Sequence, residues 1–137
     1  MNANWEKKDS WFRKAATFSV EVTHVFFEGV KDVIPSKHGW FIYVYIFETH
    51  PMFTRFDDDD SNINCAHALE FHGGCTFRQH IHRAGKKVGI KVGCDYRHYG
   101  DEYYEDLSCK EEAGSVFYDA DVIFNTLKDM QDDAQEP

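Results

Sequence analysis

No stretch of this 137-residue sequence approaches the run of about 18 apolar residues that a membrane-spanning helix needs, so no membrane partner is expected. Positive charge is scarce: 15 lysines and arginines stand against 24 aspartates and glutamates, a formal net charge of −9. That deficit argues against nonspecific nucleic-acid binding, which depends on cations displacing counterions from phosphate. Cysteine is sparse as well. Cys65, Cys75, Cys94 and Cys109 form no Cys-x-x-Cys pair, and no apolar h-region follows Met1-Asn2-Ala3-Asn4-Trp5-Glu6, so free thiols in a cytoplasm are expected. Three catalytic signatures are missing: the G-x-x-x-x-G-K-[ST] loop of nucleotide hydrolases, H-E-x-x-H, and the serine nucleophile elbow.

What is present is aromatic. Twelve Phe, seven Tyr and three Trp supply enough apolar surface for a folded domain, and residues 1–137 read as one. Trp5, Trp11 and Phe12 among lysines and arginines leave residues 1–16 open between a short helical arm and an irregular one. Residues 17–27 alternate Phe18, Val20 and Val22 with Ser19 and Glu21, the pattern of a strand. Pro35-Ser36-Lys37-His38-Gly39 reads as a turn. Trp40-Phe41-Ile42-Tyr43-Val44-Tyr45-Ile46-Phe47 is short and dense in strand formers, so it predicts a central strand. Its end, His50-Pro51, presents a histidine.

Asp57-Asp58-Asp59-Asp60 repel one another and predict an exposed loop; the repeat lacks the alternation and central glycine of a calcium loop. Residues 63–71 read as a strand entering the Gly73-Gly74 turn. Gly85-Lys86-Lys87 then turns a hairpin into Val88-Gly89-Ile90-Lys91-Val92, with Lys87 and Lys91 opposite the apolar face. Phe117, Ala120, Phe124, Leu127 and Met130 lie on one face of a helix that Ser115 could cap, and residues 131–137 read as a frayed tail. The predicted fold class is α+β: a curved antiparallel sheet packed by a C-terminal helix.

Two stretches carry the polar chemistry. Leu69-Glu70-Phe71-His72-Gly73-Gly74-Cys75-Thr76-Phe77 brings an apolar run to a histidine and then removes two side chains, which permits a sharp turn that holds one imidazole against the chain. Gly93-Cys94-Asp95-Tyr96-Arg97-His98-Tyr99-Gly100-Asp101 places two carboxylates around a histidine at a strand end. Such groups can orient a tautomer, move a proton or ligate a divalent metal, zinc first. The metal set is His72, His98 and Asp101, with Asp95, His98 and Thr76 as the catalytic group if the protein is an enzyme. Ligand contacts are expected from His50, His72, Gly73, Gly74, Arg78 and Lys91, the last two as cations for a small anion.

On the motifs His50-Pro51, His72-Gly73-Gly74-Cys75-Thr76-Phe77 and Gly93-Cys94-Asp95-Tyr96-Arg97-His98-Tyr99-Gly100-Asp101, the chain resembles a widespread family of small tailed-phage and prophage proteins of no assigned activity. The resemblance runs from about residue 38 to the C-terminus. It departs at Cys75, at Lys91-Val92 and at Tyr96, where the family has a leucine, a tryptophan-rich approach and a cysteine. It implies a phage protein in a host-cell cytoplasm and carries His50, His72, Thr76, Asp95, His98 and Asp101 as shared polar positions. Three functions follow as expectations. The first is an accessory protein, alone or as a homodimer, that binds a host or defence protein by its surface, through mimicry of a polyanion. The others are a nucleotide-sequestering protein and a metal-dependent hydrolase.

Overall fold

Alternating branched and aromatic residues build a sheet with two unlike faces. The computed structural model describes residues 5–6, 9–56 and 69–133. Five strands, β1 (Ser10–Lys14), β2 (Phe18–Phe27), β3 (Lys37–Phe47), β4 (Phe77–Arg83) and β5 (Lys86–Asp95), form one curved, unclosed sheet in the order β1-β2-β3-β5-β4. All pairs are antiparallel. β3 is central, as its apolar run predicts. Partners across the strands share a face, so Val20, Val44 and Val92 form one buried rung and Val22, Ile42 and Cys94 the next.

The C-terminal helix, α2 (Gly114–Asp133), covers that face; α1 (Phe53–Phe56) is a single turn after β3. Val116, Phe117, Ala120, Ile123, Phe124 and Leu127 are buried at helical spacing. The Phe117 ring meets Trp5, Trp11 and Trp40, while Phe124 meets Phe18. Burying each such side chain stabilises the fold by about 1.5–3 kcal/mol. Polar ties fix the helix in register. The Gln131 side-chain oxygen accepts the Thr17 N–H at 3.2 Å and the Thr17 hydroxyl. Arg13 pairs with Asp121 at 3.1 Å and lies over Phe124.

Several expectations are corrected. Within residues 1–16, Ser10–Lys14 is an edge strand and not a helical arm, because Trp11 drives its ring into the core against Trp40 while Phe12 pairs on the opposite face with Glu21. That is a period of two. Lys37, His38 and Gly39 belong to β3 and not to a turn; a side chain at Gly39 would collide with the Phe27 ring, 2.6 Å away. Leu69–Phe71 is a turn rather than the end of a strand, with Phe71 N–H donating to the Leu69 carbonyl at 3.0 Å. The rest of that strand, the Asp57–Asp60 loop and Cys65 lie outside the described residues, as do residues 134–137. Residues 131–133 are helical, held by the Gln131 tie. The helix begins at Gly114, so Ser115 sits inside its first turn.

Candidate functional site

The two polar stretches meet at one end of the sheet. Phe71-His72-Gly73-Gly74 turns with φ of 68° and 91° at its glycines, backbone that side-chain-bearing residues resist. A Cβ on Gly73 would lie 2.8 Å from the His98 ring, so this glycine admits the second imidazole. β5 extends past Cys94: Tyr96 N–H donates to the Trp40 carbonyl at 3.0 Å and continues the apolar alternation of Ile90, Val92 and Cys94. Asp95 closes β5, and after Tyr96 the chain turns through His98 to Asp101. The Asp95 carboxylate accepts the Arg97 N–H at 3.0 Å, and the Asp101 carboxylate accepts the His98 N–H at 2.9 Å.

Asp101 is the pivot. It is 7 % exposed and accepts a hydrogen bond from His72 Nε2 at 2.8 Å. Burial alone would raise its pKa. The hydrogen bonds from His72 and the His98 backbone, with the charge of both imidazoles, outweigh burial and hold it below the usual carboxylate value. His98 Nδ1 is buried and makes no hydrogen bond, although Asp101 Oδ2 lies at 3.4 Å and Asp95 Oδ1 at 3.6 Å. Those separations suit two ligands of a shared ion: bonds of about 2.0–2.2 Å in a tetrahedron put ligand atoms about 3.3–3.6 Å apart. Ligand atoms of His72, His98 and Asp101 all lie within 4.8 Å of one another.

No family model, no curated protein and no solved structure matches the chain.

The wall of the site is aromatic. The His72 ring stacks on Tyr96 at 4.3 Å, 15° from parallel, with Tyr104 edge-on at 5.3 Å. Tyr96 is buried, donates its hydroxyl to Asp119 at 2.7 Å, and has its pKa raised by burial first and that hydrogen bond second. It fixes the His72 ring. Its place in the wall was missed in the sequence; the Ile90-Val92-Cys94 alternation carried two residues further would have found it. Thr76 stands beside Asp95, its hydroxyl 3.5 Å from Oδ2. Burial pushes the Cys94 thiol up to about 12, so it stays protonated at neutral pH. Cys75 donates to the Phe77 carbonyl. Among the described residues the cluster is two histidines and an aspartate, without a cysteine.

The other expected ligand contacts lie elsewhere. His50, 2 % exposed, packs against Phe18 and Phe56. Its Nε2 donates to the Leu127 carbonyl at 3.1 Å while Nδ1 accepts the Met52 N–H at 3.1 Å. It ties β3 to α2. Arg78 and Lys91 do not share a site. Arg78 is paired with Val92 on the helix-covered face and donates to the Phe56 carbonyl, whereas Lys91 lies on the opposite face beside Tyr45. Gly74 has open space around its Cα.

Proposed function

We propose that the protein binds a divalent transition metal, zinc first, through His72, His98 and Asp101, and that it is a metal-dependent hydrolase. The observation that carries this reading is the His98 Nδ1 atom, buried without a hydrogen bond and 3.4 Å from Asp101 Oδ2. A buried nitrogen without a partner is costly, and a shared ion satisfies it. Three protein ligands leave a coordination position open, the arrangement of catalytic rather than structural zinc. The metal would lower the pKa of a bound water. Asp95, beside His98 and turned toward Thr76, would accept that proton, while the Thr76 hydroxyl orients the substrate oxygen.

The polyanion-mimicry reading has less support. Asp119, Asp121, Glu105, Glu112 and Asp132 are engaged within the chain, by Tyr96, Trp5 and Arg13, Lys37, Ser108 and Lys128. The phage context implied by the resemblance is compatible with either reading.

Protein purified without an affinity tag, loaded with zinc and dialysed, is expected to retain one equivalent. Asp101→Asn and His98→Ala should lose it. Asp95→Asn should keep the metal and lose hydrolysis of bis(4-nitrophenyl) phosphate or a 4-nitrophenyl ester. No retained zinc in the folded wild type would end the metal reading. Retained zinc without either hydrolysis would leave a metal-binding protein and remove the enzyme.

A further inference from the structure

The sheet face opposite α2 is unlike the rest of the molecule. Register places Phe12 and Lys14 of β1, Ser19, Glu21 and Phe27 of β2, Phe41, Tyr43, Tyr45 and Phe47 of β3, Lys91 of β5 and Phe77 of β4 on it. Among the described residues no helix packs over it. Glycines flatten it. A Cβ on Gly93 would meet the Tyr43 ring at 2.7 Å and one on Gly39 the Phe27 ring at 2.6 Å, so each ring occupies the space that a side chain on the facing glycine would take. The Phe41 and Tyr43 rings are parallel to within 3°, Phe77 stands edge-on to Tyr43 at 75°, and Phe47 and Phe77 are each 36 % exposed.

The charges on this face reverse the balance of the chain. Lys91 places its ammonium 4.4 Å from the Tyr43 ring, 5.1 Å from Tyr45 and 5.5 Å from Phe77. Arg97 lies 4.5 Å over Phe27, and Lys14 lies 5.7 Å over Phe12. None of these three cations forms an ion pair among the described residues, in a sequence with 24 carboxylates. The face's own carboxylates are engaged: Glu21 accepts the Tyr45 hydroxyl at 2.6 Å, and Asp95 accepts the Arg97 N–H at 3.0 Å. A cation held on a ring keeps its charge and its outward N–H donors.

We infer that this face is a binding platform for single-stranded nucleic acid. The partly exposed rings offer stacking surface to any base, and the cations interleaved among them meet the phosphates between bases. Five strands at about 4.8 Å spacing give a width of roughly 19 Å, which suits the short end of the roughly 4–16 nucleotides that aromatic platforms cover. A second copy of this face is the poorer occupant, because stacking face to face would oppose Lys14, Lys91 and Arg97 to the same cations. The net charge of −9 weighs against such binding only while it is spread evenly. The fold sets acidic Asp119, Asp121, Asp129 and Asp132 on α2, behind the sheet.

The test is fluorescence anisotropy of a labelled ten-nucleotide oligo-dT with the full chain at low salt, in chelator, so that the outcome is independent of the metal reading. Binding is expected, with duplex of the same length bound more weakly. Three phosphate contacts on a single strand should weaken affinity roughly 20-fold between about 50 and 200 mM salt. Tyr43→Leu or Phe77→Leu should each lose about fivefold to 100-fold. The double variant Lys91→Gln, Arg97→Gln, checked for an unchanged far-UV CD spectrum and melting curve, removes two charges, and it should weaken binding and flatten the salt dependence. No binding at 50 mM salt, equal affinity for duplex, or full affinity in the charge variant would overturn the inference. So would sedimentation showing a dimer that Phe77→Leu dissolves.

Discussion

His50 shows how a single ring can be committed to one protonation state. With Nε2 donating to Leu127 and Nδ1 accepting from Met52, both nitrogens are used by the neutral form, and a second proton would turn the acceptor into a donor facing the Met52 N–H. Burial lowers its pKa from 6.5, partly opposed by the Leu127 hydrogen bond; burial also lowers that of His24, with the charge of His38 second and Asp9 opposing. A histidine whose folded pKa is depressed adds stability that is complete above the unfolded value. That stability is lost as pH falls from about 6.5 toward the folded value. The melting temperature should drop between pH 7.5 and 5.5, and His50→Gln should shrink the drop. Proton NMR that finds His50 titrating at or above about 6.5 would refute the assignment. Gly73 makes the second case. Its φ of 68° and the His98 ring 2.8 Å from a would-be Cβ predict that Gly73→Ala costs about 1–3 kcal/mol and weakens zinc binding as well. An unaltered zinc isotherm would show that the His98 ring does not depend on this glycine.

At the scale of elements, α2 is positioned by its apolar stripe and locked by its end. Gln131→Ala would leave a buried Thr17 N–H unsatisfied and should cost about 1–3 kcal/mol in chemical denaturation, with the m-value unchanged. A loss under about 0.5 kcal/mol would mean that water replaces the amide there. β2 and β5 were legible because alternation of apolar and polar residues has only one reading when one face is buried, and β3 because its unbroken run of strand formers is too short for a buried helix. β1 was not. Trp11 and Phe12 are adjacent and both apolar, so five residues could not separate a period of two from one of 3.6; pairing with β2 decided it. His38 and Gly39 looked like a turn for a related reason. The glycine makes room for the ring of Phe27 on the neighbouring strand, a contact no local pattern encodes.

For the whole molecule, the metal reading predicts a gain in stability, since an ion that binds only the folded chain shifts unfolding by mass action. Zinc at a hundred times its dissociation constant should add about 2.7 kcal/mol, on the order of 10 °C in melting temperature for a domain of this size. Chelator should reverse the gain, and Asp101→Asn should never show it. An identical gain in Asp101→Asn would place the ion elsewhere. The sequence by itself determined the α+β class, the central strand, a hairpin at Gly85 (its turn is Ala84-Gly85, with Lys86 and Lys87 already in β5), the apolar stripe of α2, and which side chains have ligating chemistry, because period and residue type are local properties. Only the tertiary structure decided which of those side chains meet. It joined His72 to Asp101 across 29 positions and spent His50 on the core. It put Arg78 and Lys91 on opposite faces, and it drew three cations onto an aromatic face of an acidic chain. The first of these rests on the turn at Gly73-Gly74; the others are fixed by strand register and the packing of one helix, where a shift of one residue exchanges the two faces of a strand.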